Sequence, residues 1–194
     1  MRTGQPFLFV TVGTDHHPFD RLIGWVDRWG ASNRGTGVRL LVQSGTAQPP
    51  RTVQWAAFMP HDDMMAAFGR AVAVVSHAGP GTVMSCRSIG LLPIVVPRTA
   101  ALGEHVDDHQ VSFARQMAQR SQVRLAESYS ELAALLDRAV EEPAAFRTPP
   151  PEQRAGEAIA RFDELVEHLI RDGRGTSSRG AQEMSRLRSA NRPP

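Results

Sequence analysis

Short apolar runs alternate along the chain with stretches in which apolar residues recur at helical spacing. The apolar runs are residues 7 to 12, 38 to 43, 52 to 58, 72 to 76, 92 to 97 and, more weakly, 122 to 126. The helical stretches are residues 19 to 29, 63 to 71, 81 to 90, 107 to 120 and 129 to 142. Because the apolar runs are continuous, we expect strands covered on both faces, as in a parallel sheet between two helical layers. The pattern predicts an α/β domain with a doubly wound sheet.

The βα rhythm stops at Pro143 and at the "TPPPE" of residues 148 to 152. A last amphipathic helix is predicted over residues 152 to 170, and it either packs on its own sheet or docks on a partner. The following segment, 172 to 194, is rich in Gly, Ser and Arg and poor in apolar residues, so we expect a disordered basic tail. The predicted domain therefore spans residues 1 to 171.

The net charge of +2 is unevenly distributed along the chain. Residues 171 to 194 hold six arginines against Asp172 and Glu183, whereas residues 1 to 170 hold 16 arginines against 18 acidic residues. Residues 1 to 170 therefore have a net charge of −2, which argues against a nucleic-acid partner.

All 22 basic residues are arginines, because the chain contains no lysine. This excludes a lysine-dependent phosphate loop and a pyridoxal Schiff base. The single cysteine, the lack of a signal pattern and the lack of an apolar stretch of about 20 residues predict a cytoplasmic protein without a transmembrane segment of its own.

The segment "VVSHAGPGTVMSC", residues 74 to 86, joins a predicted strand to a predicted helix. His77 follows the strand, Gly79 and Gly81 remove side chains where a ligand would approach, and Thr82 lies in the first helical turn. The free N–H groups and the dipole of such a helix start bind anions without lysine, and a diphosphate fits the arrangement. The alternatives are a glycine-rich turn beside a buried histidine, or a hydrolase nucleophile at Ser76, although the G-x-S-x-G motif is missing.

Two further loops carry chemically active residues. After the first strand, "VGTDHHPFDRL" is either a plain turn or a ligand-binding loop that uses Gly13 and Thr14. After the "VVP" run, the acids of "EHVDDHQ" could cap a helix, bind hydroxyl groups of a ligand or bind a metal. Metal binding is disfavoured because consecutive ligands at a loop-to-helix junction point in different directions.

Three groups of motifs occur together and in order over residues 7 to about 120. They are "FVTVGT" with "FDRLI", the segment "FMPHDDMMAAFGRAVAVVSHAGPGTVMSCRSIGLLPIVVP", and "DDHQ". In this combination the chain resembles glycosyltransferase family 28, in particular its C-terminal, nucleotide-sugar-binding half. It is most similar to the small catalytic subunits of two-component UDP-GlcNAc transferases and to bacterial exopolysaccharide counterparts. The resemblance implies a Rossmann-like sheet that corresponds to the C-terminal half of a GT-B glycosyltransferase.

The resemblance also implies a role for individual residues. Phe58 and Met59 would hold the uracil, the His77 segment the diphosphate, and Asp107 with Gln110 the hydroxyl groups of the donor sugar. Ser85 stands where the family often has an acid for the ribose, and a neutral hydroxyl binds a ribose more weakly than a carboxylate. The complete implied donor-binding set is Gly13, Thr14, Phe58, Met59, His77, Gly79, Pro80, Gly81, Thr82, Ser85, Asp107, Asp108 and Gln110.

The expected function is the donor-binding and catalytic subunit of an inverting, UDP-sugar-dependent glycosyltransferase with a lipid-linked or saccharide acceptor. The helix start and His77 would stabilise the leaving diphosphate, so no cofactor and no divalent metal are expected in the site. His16 and His17 are candidate bases. The first strand begins within ten residues of Met1, so we expect a separate, membrane-associated acceptor subunit that holds the protein at the inner face of the membrane. The alternative is a non-catalytic nucleotide-sugar-binding or scaffold subunit of a polysaccharide complex.

Overall fold

A computed structural model describes residues 4 to 149, which form one parallel sheet with helices on both faces. The strands are β1 (Phe7–Thr11), β2 (Arg39–Gln43), β3 (Gln54–Ala56), β4 (Ala73–Ser76), β5 (Ile94–Val95) and β6 (Arg124–Leu125). The helices are α1 (Asp20–Gly30), α2 (His61–Arg70), α3 (Pro80–Ser88), α4 (His109–Gln119) and α5 (Tyr129–Glu141), with short 3-10 turns at Ala100–Leu102 and Pro143–Phe146. The strand order is β3-β2-β1-β4-β5-β6, so the predicted Rossmann-like doubly wound sheet is confirmed.

The continuous apolar run of β1 reflects its central position in the sheet. All five of its residues are buried, and it pairs with β2 on one side and β4 on the other. Leu8 and Val10 contribute to the core under α1 and α5, whereas Phe7 and Phe9 contribute to the core under α2 on the opposite face. Because both faces of this strand are buried, polar and apolar residues do not alternate along it.

The strand order reverses between β1 and β4, and this reversal creates the crevice of the domain. The connection after β1 leads to β2 on one side, while the connection after β4 leads to β5 on the other. The two loops therefore diverge from neighbouring strand ends, and His77 stays attached to the edge because its N–H donates to the Thr11 carbonyl at 3.3 Å. Ligands of open α/β sheets bind at such a point.

All five helices that were predicted within residues 4 to 149 form, and each begins and ends within two residues of its predicted bounds. The predicted helix 152 to 170 and the predicted tail 172 to 194 lie outside the described residues. Within the described part of the chain, no helix is long and apolar enough to cross a membrane.

The start of α5 is closed by a capping box, which gives a direct test of the fold. The Ser128 hydroxyl accepts from the Glu131 N–H at 3.3 Å, and the Glu131 carboxylate accepts from the Ser128 N–H at 3.0 Å. We expect Ser128→Ala to lower the free energy of unfolding by about 1 kcal/mol in urea denaturation. The control is Ser112→Ala at an exposed position inside α4, where alanine should be neutral or slightly stabilising. Equal effects of the two changes would contradict this role.

Candidate functional site

A cavity of about 400 Å³ opens at the crevice between the ends of β1 and β4. Its wall is formed by Thr11, Gly13, Thr14, Gln43, Phe58, Met59, His61, Met64, His77, Gly79, Pro80, Gly81, Thr82 and Ser85. Every predicted donor-binding residue from Gly13 to Ser85 therefore contributes to one cavity, although the sequence places them in three separate loops.

The start of α3 faces this cavity, and no side chain caps its first N–H groups. Gly79 is the N-cap and offers no side chain, and the first turn contains no acidic residue. Pro80 has no N–H, and the Val83 N–H donates to the Gly79 carbonyl at 3.1 Å. Within residues 4 to 149, the N–H groups of Gly81 and Thr82 have no backbone acceptor, so they are available to an anion in the cavity.

The imidazole of His77 lies between two glycines. A Cβ on Gly13 or on Gly79 would lie under 3.0 Å from atoms of the His77 ring, and Gly13 has a φ of +78°. A Cβ on Gly81 would meet nothing within 4 Å. The sequence analysis expected both Gly79 and Gly81 to leave room for a ligand. The structure corrects this for Gly79, whose missing side chain makes room for His77, whereas Gly81 does leave room for a ligand.

His77 is neutral at physiological pH. Burial, together with the positive charge of Arg98, lowers its pKa from 6.5 to about 4. Its Nδ1 atom is buried and has no hydrogen-bond partner among the described residues. The ring can therefore donate one hydrogen bond to a bound anion, but it does not bring a full positive charge.

Gln43 fixes the loops on both sides of the cavity. Its Nε2 donates to the Gly13 carbonyl at 2.9 Å and to the Ala57 carbonyl at 3.0 Å. Its Oε1 accepts a hydrogen bond from the Thr11 hydroxyl. The sequence analysis did not single out Gln43, although a polar residue at the end of an apolar strand run could have been recognised as a candidate.

Arg98 is the most important residue that the sequence analysis missed. Its side chain is fully buried, and its guanidinium donates to the carbonyls of Val12 at 2.9 Å, His17 at 2.6 Å and Glu104 at 3.0 Å. The group also lies over the ring of Phe19, with Cζ 4.7 Å from the ring centroid. Arg98 therefore joins the loop after β1 to the loop after β5, directly behind the cavity.

A buried carboxylate supports the same junction from the other side. Glu104 accepts two hydrogen bonds from Arg21, at 2.8 Å and 2.7 Å, and one from the Thr99 N–H at 3.0 Å. Arg21 also donates to the Pro97 carbonyl at 2.8 Å. The loop after β5 is thus anchored to α1 before α4 begins.

The three predicted donor-binding residues after β5 do not line the cavity. Gln110 is 4% exposed and its Oε1 accepts from the Arg98 N–H at 3.4 Å. Asp107 is exposed and accepts from the His109 N–H at 3.1 Å, so it satisfies the start of α4, whereas Asp108 accepts from the Ala100 N–H at 2.8 Å. Their role toward a donor sugar stays a prediction.

The two candidate bases differ in their environment. The Nδ1 atom of His17 lies 2.6 Å from Asp15 Oδ1, and the side chain is 22% exposed. His16 is 84% exposed and its Nδ1 lies 3.9 Å from the same oxygen. Burial acts to raise the pKa of Asp15, but hydrogen bonds from the backbone and ring of His17 outweigh it and lower the pKa to about 2. Only His17 is held by an ionised partner, and neither histidine lines the cavity.

The hydrolase alternative is not supported by the structure. Ser76 is fully buried at the end of β4, and its hydroxyl has no hydrogen-bond partner among the described residues. A nucleophile must reach its substrate, and this side chain is covered by the protein.

Fold and cavity together define an α/β domain with an open cavity at the switch point of its sheet. The family model "Glycosyltransferase family 28 C-terminal domain" matches residues 7 to 169. The chain therefore belongs to this family, and residues 7 to 169 are a glycosyltransferase donor-binding domain. A search of curated proteins finds no match.

Solved glycosyltransferases share the fold. The glycosyltransferase of kitacinnamycin is 17% identical, with a TM-score of 0.55 over 75% of this chain and 37% of its own. The spinosyn forosaminyltransferase SpnP is 17% identical, with a TM-score of 0.52 over 86% and 45% of the two chains. VinC, solved in complex with dTDP, is 19% identical, with a TM-score of 0.50 over 88% and 42%. The chain thus spans less than half the length of these transferases.

Replacing Arg98 tests the junction behind the cavity. Arg98→Met leaves three buried carbonyls without their donor and removes the cation beside Glu104, so we expect a loss of about 3 kcal/mol in unfolding free energy. Arg98→Lys should also be destabilising, because an ammonium group cannot reproduce the planar fork. Arg120→Met at an exposed position is the control and should stay within about 0.5 kcal/mol of the wild type in urea denaturation. A similarly small effect at Arg98 would contradict the assignment.

The lowered pKa of His77 predicts a pH dependence of stability. The unfolded chain binds a proton at this residue near pH 6.5 and the folded chain only near pH 4, so stability is complete above pH 6.5 and falls on acidification between these values. We expect this residue to account for a loss of roughly 3 kcal/mol between pH 7 and pH 4. His77→Asn should remove that part of the slope in urea denaturation series, and the exposed His61→Asn should retain it. Parallel slopes for wild type and His77→Asn would refute the assignment.

Proposed function

We propose that the chain is the donor-binding and catalytic subunit of an inverting glycosyltransferase. It would transfer a UDP-activated hexose or N-acetylhexosamine to a lipid-linked or saccharide acceptor. One observation carries the proposal: the uncapped start of α3 opens onto the cavity, and the neutral imidazole of His77 lies beside it.

The diphosphate of the donor would lie against the start of α3. The N–H groups of Gly81 and Thr82, the Thr82 hydroxyl and the His77 ring supply neutral hydrogen-bond donors around one space. Among residues 4 to 149, the wall contains no carboxylate that would repel a phosphate. The buried charge of Arg98, which already acts on His77, adds a favourable field from behind.

The nucleoside would occupy the side of the cavity formed by the end of β3 and the start of α2. Phe58 is 55% exposed although it lines the cavity, so a base could cover its ring. Met59 lies next to it, and Ser85 offers a hydroxyl for the ribose from α3. The uracil preference rests on the family resemblance of Phe58 and Met59.

The same groups would promote the transfer step. When the bond between the anomeric carbon and the diphosphate breaks, negative charge grows on the leaving phosphate. Fixed N–H groups and a helix dipole stabilise such a charge without reorganising, so a divalent metal is not required at this position. His17, held by Asp15, is the better placed of the two candidate bases to take the proton of the acceptor hydroxyl.

We further propose that a separate, membrane-associated subunit binds the acceptor, so that the complex acts in the cytoplasm at the inner membrane face. Leu102 is 62% exposed and Val106 is 74% exposed, and both lie in the loop between β5 and α4 at the cavity edge of the sheet. Exposed large apolar side chains in one loop are a common feature of contact surfaces between proteins.

Donor binding can be tested with two matched glycine variants. Gly81 and Gly24 both lie in helices with open space at the Cβ position, but only Gly81 lines the cavity. We expect Gly81→Val to fold normally and to weaken UDP binding at least about tenfold in calorimetry, because the side chain would enter the diphosphate space. Gly24→Val should bind UDP like the wild type. UDP binding that is equal in both variants would refute the placement.

Catalysis is tested separately, with the full chain and the product of a neighbouring gene that encodes an acceptor-binding protein. Transfer from a UDP-sugar that requires both proteins supports the catalytic proposal. UDP binding without turnover in the reconstituted pair would instead support the scaffold alternative.

A further inference from the structure

Four of the seven histidines lie together at the sheet edge, outside the walls of the cavity. Successive ring centroids are 4.0 Å, 5.6 Å and 4.6 Å apart, and two aspartates lie against the rings. The members come from the loop after β1 and from the loop and helix start after β5, and they are Asp15, His16, His17, His105, Asp107 and His109. Residues about 90 positions apart in the chain thus form one histidine–aspartate cluster.

His105 is the central member, and one hydrogen bond to its ring indicates the tautomer. The Asp107 N–H donates to His105 Nδ1 at 3.4 Å, so Nδ1 carries the lone pair of the neutral ring. The proton is then on Nε2, which lies 3.9 Å from Asp15 Oδ2.

This arrangement directs two electron-rich atoms at each other. His105 Nδ1 lies 3.5 Å from Asp107 Oδ1, and no proton lies between them in the neutral ring. His109 Nδ1 lies against the same carboxylate oxygen. One ligand atom from each of His105, Asp107 and His109 lies within 4.8 Å of the others. Ligands of one zinc ion at about 2 Å from the metal are about 3 to 4 Å apart, so a small rearrangement in which His109 moves away from Asp107 would form a site.

We propose that His105, Asp107 and His109 bind one divalent transition-metal ion such as Zn²⁺. Two imidazoles and one carboxylate suit such an ion better than Mg²⁺ or Ca²⁺, which prefer sets of oxygen ligands. Asp15 lies on the side of Nε2, the His105 nitrogen that faces away from the ion. In many zinc sites a carboxylate occupies this outer position, and here it would orient the ring so that Nδ1 faces the ion.

The site is distinct from the diphosphate site and does not rest on the proposed function. None of its three ligands lines the cavity. Its binding can be measured without a nucleotide, so failure of one proposal leaves the other open to its own test.

The test uses the full chain without a histidine tag, freed of metal with a chelator and titrated with Zn²⁺ in a calorimeter. We expect saturation at about one ion per chain. His109→Asn, at an exposed ligand, should weaken binding by more than about 100-fold, and Asp15→Asn by about 10- to 100-fold. His105→Asn should behave like His109→Asn. Far-ultraviolet circular dichroism without metal confirms that each variant is folded.

A matched control gives the test its specificity. His16 belongs to the cluster, where it lies beside Asp15 and against the ring of His17, but it is not one of the three ligands, so His16→Asn should bind Zn²⁺ like the wild type. Mg²⁺ should not compete. Absence of saturable Zn²⁺ binding, unchanged affinity in His109→Asn, or an equal loss in His16→Asn would each overturn the proposal.

Discussion

The geometry of the site depends on the buried guanidinium of Arg98. A sheet delivers strand ends to one edge, but the loops beyond them have no ladder to hold them. Arg98 donates three hydrogen bonds to carbonyls in the loops after β1 and β5, and Gln43 donates two to carbonyls in the loops after β1 and β3. A different loop arrangement would leave these carbonyls buried without a hydrogen-bond donor, which costs free energy of folding. The loops therefore have few alternatives to the observed arrangement.

The same guanidinium also sets the electrostatics of the cavity. Its charge and the burial of His77 keep that imidazole neutral, while Gly13 and Gly79 leave just enough room for the ring. A chain without lysine can thus favour an anion by placing its positive charge behind the wall and hydrogen-bond donors at the surface. The hydrogen-bond donors that would bind the diphosphate are already oriented in the folded chain. Little free energy would therefore be spent on reorienting them during the reaction.

Much of this could be predicted from the sequence, because the relevant signals are local. The strands of a doubly covered sheet are apolar without interruption, and the glycines and proline around His77 mark the helix start directly. Arg98 and Glu104 could not be found in this way, since a buried charged residue in a loop is recognisable only when its partners are known. Their partners lie up to 86 residues away in the chain. Likewise, the sequence shows that Gly79 needs no side chain, but only the structure shows that His77 fills the space.

The junction at Arg98 holds the backbone beside both halves of the histidine–aspartate cluster. Arg98 binds the carbonyl of His17, next to Asp15 and His16, and the carbonyl of Glu104, next to His105. The two halves of the cluster are therefore positioned by one buried side chain, and their close approach is a property of the folded loops rather than of either sequence segment. His105, Asp107 and His109 lie at alternate positions of "EHVDDHQ" and converge on one another, whereas the sequence analysis expected consecutive ligands of this segment to point in different directions. Asp15 lies beside His105, so the junction at Arg98 adds to this group a carboxylate that its own segment does not supply.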